Sequence, residues 1–301
     1  MSPKVDQKQT WALASIDLQE AFTDFILSRQ AMMCTPQTIR FYRFVLGKGL
    51  TWFTENGATS PDQITARLVR AYLAELAGRG LSDSYIHGNA RAIRTFVRFL
   101  HTEGYSPELI KFEMPAVSKK RLPALTGAQV KQLIASCASS RDKALILFMV
   151  DTGVRRAELC ALNWGDVDIS SGLVRILKGK GNKFSTVVMG AKTRRALIKY
   201  RRAIDHTEHA PLFQTQSGNR FTLSGLRSAI LRIGKRTNLK LSPHTLRRTF
   251  ATLAIRSKMN LLHLSALLGH ADLKTTELYV QTLDQDLMEA HREHGPVDNI
   301  L

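Results

Sequence analysis

The chain has 301 residues, enough for two domains that each bury a core. Forty-three Lys and Arg stand against 25 Asp and Glu, giving a formal net charge of +18 at pH 7, and such an excess favours nucleic acid as partner through counterion release. Hydrophobic content of 44% is ordinary, no apolar run approaches the ~18 residues of a membrane span, and MSPKVDQKQTWALAS lacks the order of a signal peptide. The expectation is a protein of the cytosol or nucleoid with no membrane partner. Three widely spaced cysteines, Cys34, Cys137 and Cys160, suggest neither a disulfide framework nor a zinc cluster and read as buried or half-buried thiols.

The first part of the chain, residues 1–104, reads as a helical unit. Leu18, Phe22, Phe25 and Ile26 share one face, as do Val69, Tyr72, Leu73 and Leu76. Start signals at Thr35-Pro36 and Ser60-Pro61-Asp62, with stops at Gly78-Arg79-Gly80 and Gly104, predict helices over 15–31, 36–56, 62–78 and 83–102. The fourth carries an apolar stripe of Ile86, Ala90, Ile93, Val97 and Leu100. On a neighbouring face lie His87, Arg91, Arg94, Arg98 and His101, with no acidic residues interleaved. A solvated polar face is one reading of that basic stripe; contact with a phosphate backbone is the one favoured here.

Residues 105–123 hold three prolines and the run Lys119, Lys120, Arg121, without sustained periodicity, which suits an interdomain linker lying against DNA. A second domain over 124–301 opens with predicted helices at 126–137 and 140–153. Val174 and Ile176 alternate with outward positions, and Phe184 to Met189 forms the return strand of a β-hairpin. Helices resume from 191, and Gly269 ends one at 260–268. The fold class is therefore mainly α with a small β-hairpin.

Chemistry concentrates in this second domain. Ser242 and Pro243 mark the start of a helix on which His244 and Arg247 flank a core face of Leu246, Phe250, Leu253 and Ala254. Arg155 follows Gly153, which breaks the preceding apolar helix; Glu158 either orients that arginine or pairs with Arg156 on the surface. Arg155 and Arg247 together suit the two non-bridging oxygens of a phosphate. Lys180 lies at the hairpin tip, where Lys178 and Lys183 are rivals for any role. His270 follows Gly269, and Asp272 caps a short helix bearing Tyr279, whose phenol would need a base or neighbouring cations to attack near neutral pH. Clustered carboxylates for two-metal chemistry are missing between 242 and 280, and His244, His263 and His270 lack the companions of a zinc set, so no metal is expected.

TGVRRAEL (152–159), KGKGNK (178–183), HTLRRTF (244–250) and LGHADLKTTELYV (268–280), in this order, resemble the catalytic domain of the tyrosine site-specific recombinases, the phage integrase family. The resemblance spans about 124–294, and 15–103 resembles the helical, SAM-like core-binding domain that precedes it. By that similarity Tyr279 attacks the scissile phosphate to form a 3′-phosphotyrosyl link and free a 5′-hydroxyl. Arg155 and Arg247 stabilise the transition state, and Lys180 protonates the leaving oxygen. His244 assists proton transfer and His270 holds the phosphate. No metal or nucleotide cofactor is implied. The partners implied are double-stranded DNA with a specific site and three further copies of the chain, exchanging strands through a Holliday junction while two domains clamp the duplex as a C. Arg248 stands where many relatives have a second histidine. About 14 residues precede the first predicted helix, which points to a compact Xer-like or mobile-element enzyme without an extra arm-site domain. Residues 284–301 resemble the segment that family members dock onto a neighbouring subunit, although packing within their own subunit is also open. Two rival readings are a type IB topoisomerase, which would relax supercoiled DNA without a specific site, and a non-catalytic DNA-binding protein on the same fold.

Overall fold

The computed structural model describes residues 16–118, 124–176, 185–204, 207–269 and 292. Two compact units divide the chain, Met1–Lys120 and Arg121–Leu301, each with its own apolar core. The described residues are mostly helical, with one two-stranded antiparallel sheet.

In the first unit, α1 (Leu18–Ala31), α2 (Pro36–Glu55), α3 (Ala66–Gly78) and α4 (Asp83–Thr102) follow one another. Each starts where a side-chain oxygen accepts a first-turn amide: Asp17, Thr35, Thr65 and Ser82 do this in turn. The third helix differs from its expected span. Ser60-Pro61-Asp62 starts only a one-turn 3-10 helix, in which Gln63 Oε1 accepts from the amides of Thr59 (2.7 Å) and Ser60 (3.2 Å). Ile64 then runs extended and is buried at 2% exposure, and Thr65 caps the helix proper. Two cap signals stand five residues apart there, and the buried Ile64 between them separates the two helices.

The core of this unit is aromatic. Phe25 meets Tyr42, Phe96 and Phe99 edge-on at centroid distances of 5.1, 5.4 and 5.4 Å, and each such ring stabilises by about 1.5–3 kcal/mol through burial. All five members of the apolar stripe on α4 are buried. The described part of the expected linker, 105–118, packs on this core rather than hanging free. Tyr105 donates to Asp24 Oδ2 at 2.8 Å, and Ile110, Phe112 and Met114 lie half-buried against the cluster. Ile110, Phe112 and Met114 alternate with charged residues, a short period-two pattern that ends at Pro115.

The second unit contains α5 (Gly127–Ala135), α6 (Ser140–Thr152), α7 (Arg156–Ala161), β1 (Leu173–Ile176), β2 (Ser185–Val188), α8 (Ala191–Arg201), α9 (Leu223–Lys235), α10 (Pro243–Arg256) and α11 (Leu261–Leu268). Helix α6 packs against both α8 and α10, which explains why Ala144, Leu145, Ile146, Phe148 and Met149 are all buried. Val174 of β1 pairs with Val187 of β2, and both point into the core. Thr249 Oγ1 of α10 accepts from Leu125 N at 2.9 Å and donates to Thr245 O at 2.9 Å, tying the entry of the unit to that helix.

Gly153 ends α6 in the left-handed region (φ 62°), and a Cβ there would overlap the Phe250 ring of α10. Gly153→Ala should therefore lower the unfolding free energy in urea by about 2–4 kcal/mol; a change under about 0.5 kcal/mol, the ordinary range of surface substitutions, would show that this approach is not tight.

Candidate active site

Arg247 was expected on the flank of its helix, but it lies inside. Only 6% of the residue is exposed. Its Nη1 donates to Gly153 O and its Nη2 to Leu268 O, both at 2.6 Å. These acceptors are carbonyls at the C-terminal ends of α6 and α11, where a helix has no intrahelical donor to offer and carries the negative end of its dipole. A guanidinium with a rigid fork of donors suits two such ends at once, which is how the charge survives burial. The same helix turns His244 outward, so the pair does not share one environment.

Arg155 is placed from the other side. It precedes α7 with extended backbone (φ −72°, ψ 149°). Glu158 Oε2 accepts from its amide at 2.7 Å, and Glu158 Oε1 from its Nη1 at 2.8 Å. Of the two partners left open for Glu158, the structure selects Arg155. Arg155 Nη2 donates to Gly269 O at 3.0 Å. The two guanidiniums thus hang on the consecutive carbonyls of Leu268 and Gly269, at the end of α11 and directly ahead of His270 in the sequence. Gly269 is left-handed (φ 58°), as a helix-ending glycine should be.

His244 occupies the first turn of α10, exposed to solvent. Loss of hydration beside the protein pushes its pKa below the ordinary 6.5, followed by the charges of Arg156, Arg248 and Arg247. Both effects favour the neutral imidazole, the form that accepts a proton.

Lys180, with its rivals Lys178 and Lys183, lies outside the described residues, as do His270, Tyr279, Lys119, Lys120 and Arg121 and the segment 284–301 apart from Arg292. On α4 the basic stripe divides. Arg91 and Arg98 are exposed and Arg94 is half-buried, and none of the three pairs with a carboxylate among the described residues. Arg91 also lies over the Phe41 ring at 5.8 Å. His87 is turned to its own unit, its Nδ1 2.9 Å from Pro115 O, and His101 Nδ1 is 3.4 Å from Ser106 O. Cys34, Cys137 and Cys160 are free, half-buried thiols; burial pushes Cys137 up to about 11. Among the described residues no helix is long and apolar enough to cross a membrane.

A family model for the phage integrase family matches residues 123–286, and one for the phage integrase N-terminal SAM-like domain matches 20–104. Tyrosine recombinase XerA of Pyrococcus furiosus is 29% identical over 273 residues, covering 89% of this chain and 91% of its own length. Tyrosine recombinase XerC of Pseudomonas syringae pv. syringae is 29% identical over 278 residues, covering 89% and 93%. The crystal structure of the site-specific recombinase XerH bound to its difH substrate, a pre-cleavage complex, superposes with a TM-score of 0.68 at 25% identity over 89% of this chain and 82% of that one. The chain belongs to the phage integrase family. It is a tyrosine recombinase, an enzyme that cleaves and rejoins DNA in site-specific recombination.

The histidine beside this cationic cluster gives a direct test. By NMR, the His244 ring should titrate below pH 6.5, and Arg156→Gln should move its midpoint upward. The unfolded chain takes up that proton first, so stability should fall as pH drops through 6.5. A midpoint at or above 6.5 that ignores Arg156 would remove the electrostatic account.

Proposed function

We propose that Tyr279 is the nucleophile and that it attacks a scissile phosphate of double-stranded DNA at a specific site, forming a 3′-phosphotyrosyl ester and releasing a 5′-hydroxyl. Arg155 and Arg247 bind the non-bridging oxygens and stabilise the charge that develops on them. His244, as the neutral imidazole, accepts the phenolic proton; Lys180 supplies a proton to the leaving oxygen; His270 hydrogen-bonds the phosphate. Because the ester keeps the energy of the cleaved bond, rejoining needs no nucleotide and the reaction uses no metal.

One observation carries this reading. Two guanidiniums from separate helical elements converge on neighbouring carbonyls immediately ahead of His270 in the chain. Three N–H groups of Arg155 make no hydrogen bond among the described residues, leaving them for an anion. The unit over 1–104 serves as the core-binding domain, with Arg91, Arg94 and Arg98 of α4 on the phosphate backbone and His87 beside them. Lys119, Lys120 and Arg121 extend that contact between the domains, and 124–301 is the catalytic domain. His87 is the least suited of these residues, since one ring nitrogen already faces Pro115 O. Four protomers, a pair on each site, exchange strands in two steps through a Holliday junction, with 284–301 docking between subunits. The enzyme works in the cytosol at the nucleoid, where the +18 charge concentrates it on DNA.

On a suicide substrate that traps the cleaved strand, Tyr279→Phe should yield no covalent protein–DNA adduct while duplex binding stays within about twofold of wild type, since a removed hydroxyl that makes no ground-state contact costs little binding. An adduct that persists in this variant would assign the nucleophile elsewhere.

A further inference from the structure

The opposite end of α6 from Arg155 closes a cavity of about 390 Å³ that the recombination chemistry does not use. The two lie roughly 20 Å apart along thirteen residues of helix. Its walls come from the start of α6, from the segment around Gln214 and from the last turns of α9.

Its electrostatics are lopsided. Arg141, Arg232 and Arg236 face a single carboxylate, Asp142. Arg141 is committed: its Nε and Nη2 bond Asp142 Oδ1 at 3.2 and 3.0 Å, its Nη1 bonds Gln214 O at 3.2 Å, and its guanidinium lies 5.6 Å over the Phe221 ring. That pairing neutralises Asp142, leaving Arg236 only a loose 3.9 Å contact with it. Arg232 has no charged or hydrogen-bonded partner among the described residues. Three guanidiniums against one carboxylate leave two positive charges around the cavity.

Donors without acceptors accompany those charges. The amides of Ser140 and Arg141 open α6 at the positive end of its dipole, and neither is hydrogen-bonded among the described residues. Gln214 is a second and independent sign. Only 8% of it is exposed and its backbone is fully bonded, its N–H to Tyr200 Oη and its O to Arg141, yet its side-chain amide has no partner among the described residues. Gln214 lines the cavity, so its amide is open to a ligand there.

We infer that this cavity binds a phosphate monoester of nucleotide size. Two uncompensated positive charges match the dianion of a monoester better than the single charge of a backbone diester. The volume falls within the range of small-ligand pockets and far exceeds that of bare phosphate. Tyr200, Ile204 and Ile233 supply apolar wall for the body that carries the phosphate. The site stands apart from the tyrosine chemistry and does not depend on it.

The test uses the full chain and AMP as probe, by isothermal titration calorimetry at low salt. AMP should bind in a one-to-one ratio and be displaced by inorganic phosphate. Substituting both exposed arginines, Arg232→Gln with Arg236→Gln, should weaken binding by at least about tenfold, the order expected when charge-assisted hydrogen bonds are lost. Gln214→Leu, which leaves the net charge unchanged, should also weaken it, whereas Arg91→Gln on α4 should not. Circular dichroism checks that each variant keeps its helices. Absence of AMP binding in the wild type would overturn the inference, as would binding that survives the double substitution. A double variant that changes only duplex affinity and its salt dependence would do the same, assigning these arginines to the DNA backbone.

Discussion

The second unit is organised around a charge that it has drawn out of water. Arg247 is only 6% exposed, and an unpaired guanidinium at such a position would be very costly. What makes the position tenable is the pair of carbonyls at 2.6 Å from Gly153 and Leu268. Each terminates a helix, each lacks an internal donor, and each lies at the negative end of a helix dipole. The arginine satisfies two helix ends with one planar group, and the helix ends fix the arginine in return.

From that constraint the neighbouring features follow. Gly153 turns left-handed to present its carbonyl and has no Cβ, so the Phe250 ring of α10 can close over it. Glu158 grips both the amide and the guanidinium of Arg155, steering the second arginine toward Gly269 O, one residue along from the carbonyl that Arg247 uses. Loss of hydration beside the protein, and after it the charges of Arg156, Arg248 and Arg247, lower the His244 pKa.

Much of this was legible in the residues, for identifiable reasons. Thr35-Pro36 marked the start of α2, and the stops at Gly78-Arg79-Gly80 and Gly104 bracketed α4. Gly153 and Gly269 announced helix ends because only a residue without a side chain adopts their backbone easily. The same logic misplaced α3, where Ser60 and Thr65 both offer caps and only the burial of Ile64 between them decides. Segment 105–118 read as a tether because it carries prolines and its one period-two run, Ile110, Phe112 and Met114, covers only five residues. The burial of Arg247 was hidden because helical spacing gives the angle around an axis, whereas its environment depends on α6 and α11, elements remote in sequence. The choice of Arg155 over Arg156 for Glu158 was hidden for a related reason: both lie within reach, and backbone geometry before α7 settles it.

The account rests most directly on the double duty of Arg247, and Arg247→Lys separates its two halves. Lysine keeps the positive charge but offers a single ammonium that cannot serve the Gly153 and Leu268 carbonyls with the same fork. Urea unfolding of this variant, measured beside its yield of covalent DNA adduct, is the decisive comparison. If the guanidinium joins the helix ends and binds the phosphate, unfolding free energy should fall by about 1–3 kcal/mol, the cost of a buried carbonyl left unsatisfied, and adduct should be lost as well. Wild-type stability with lost adduct would mean that the carbonyl bonds contribute nothing to the fold, contradicting the account at its centre.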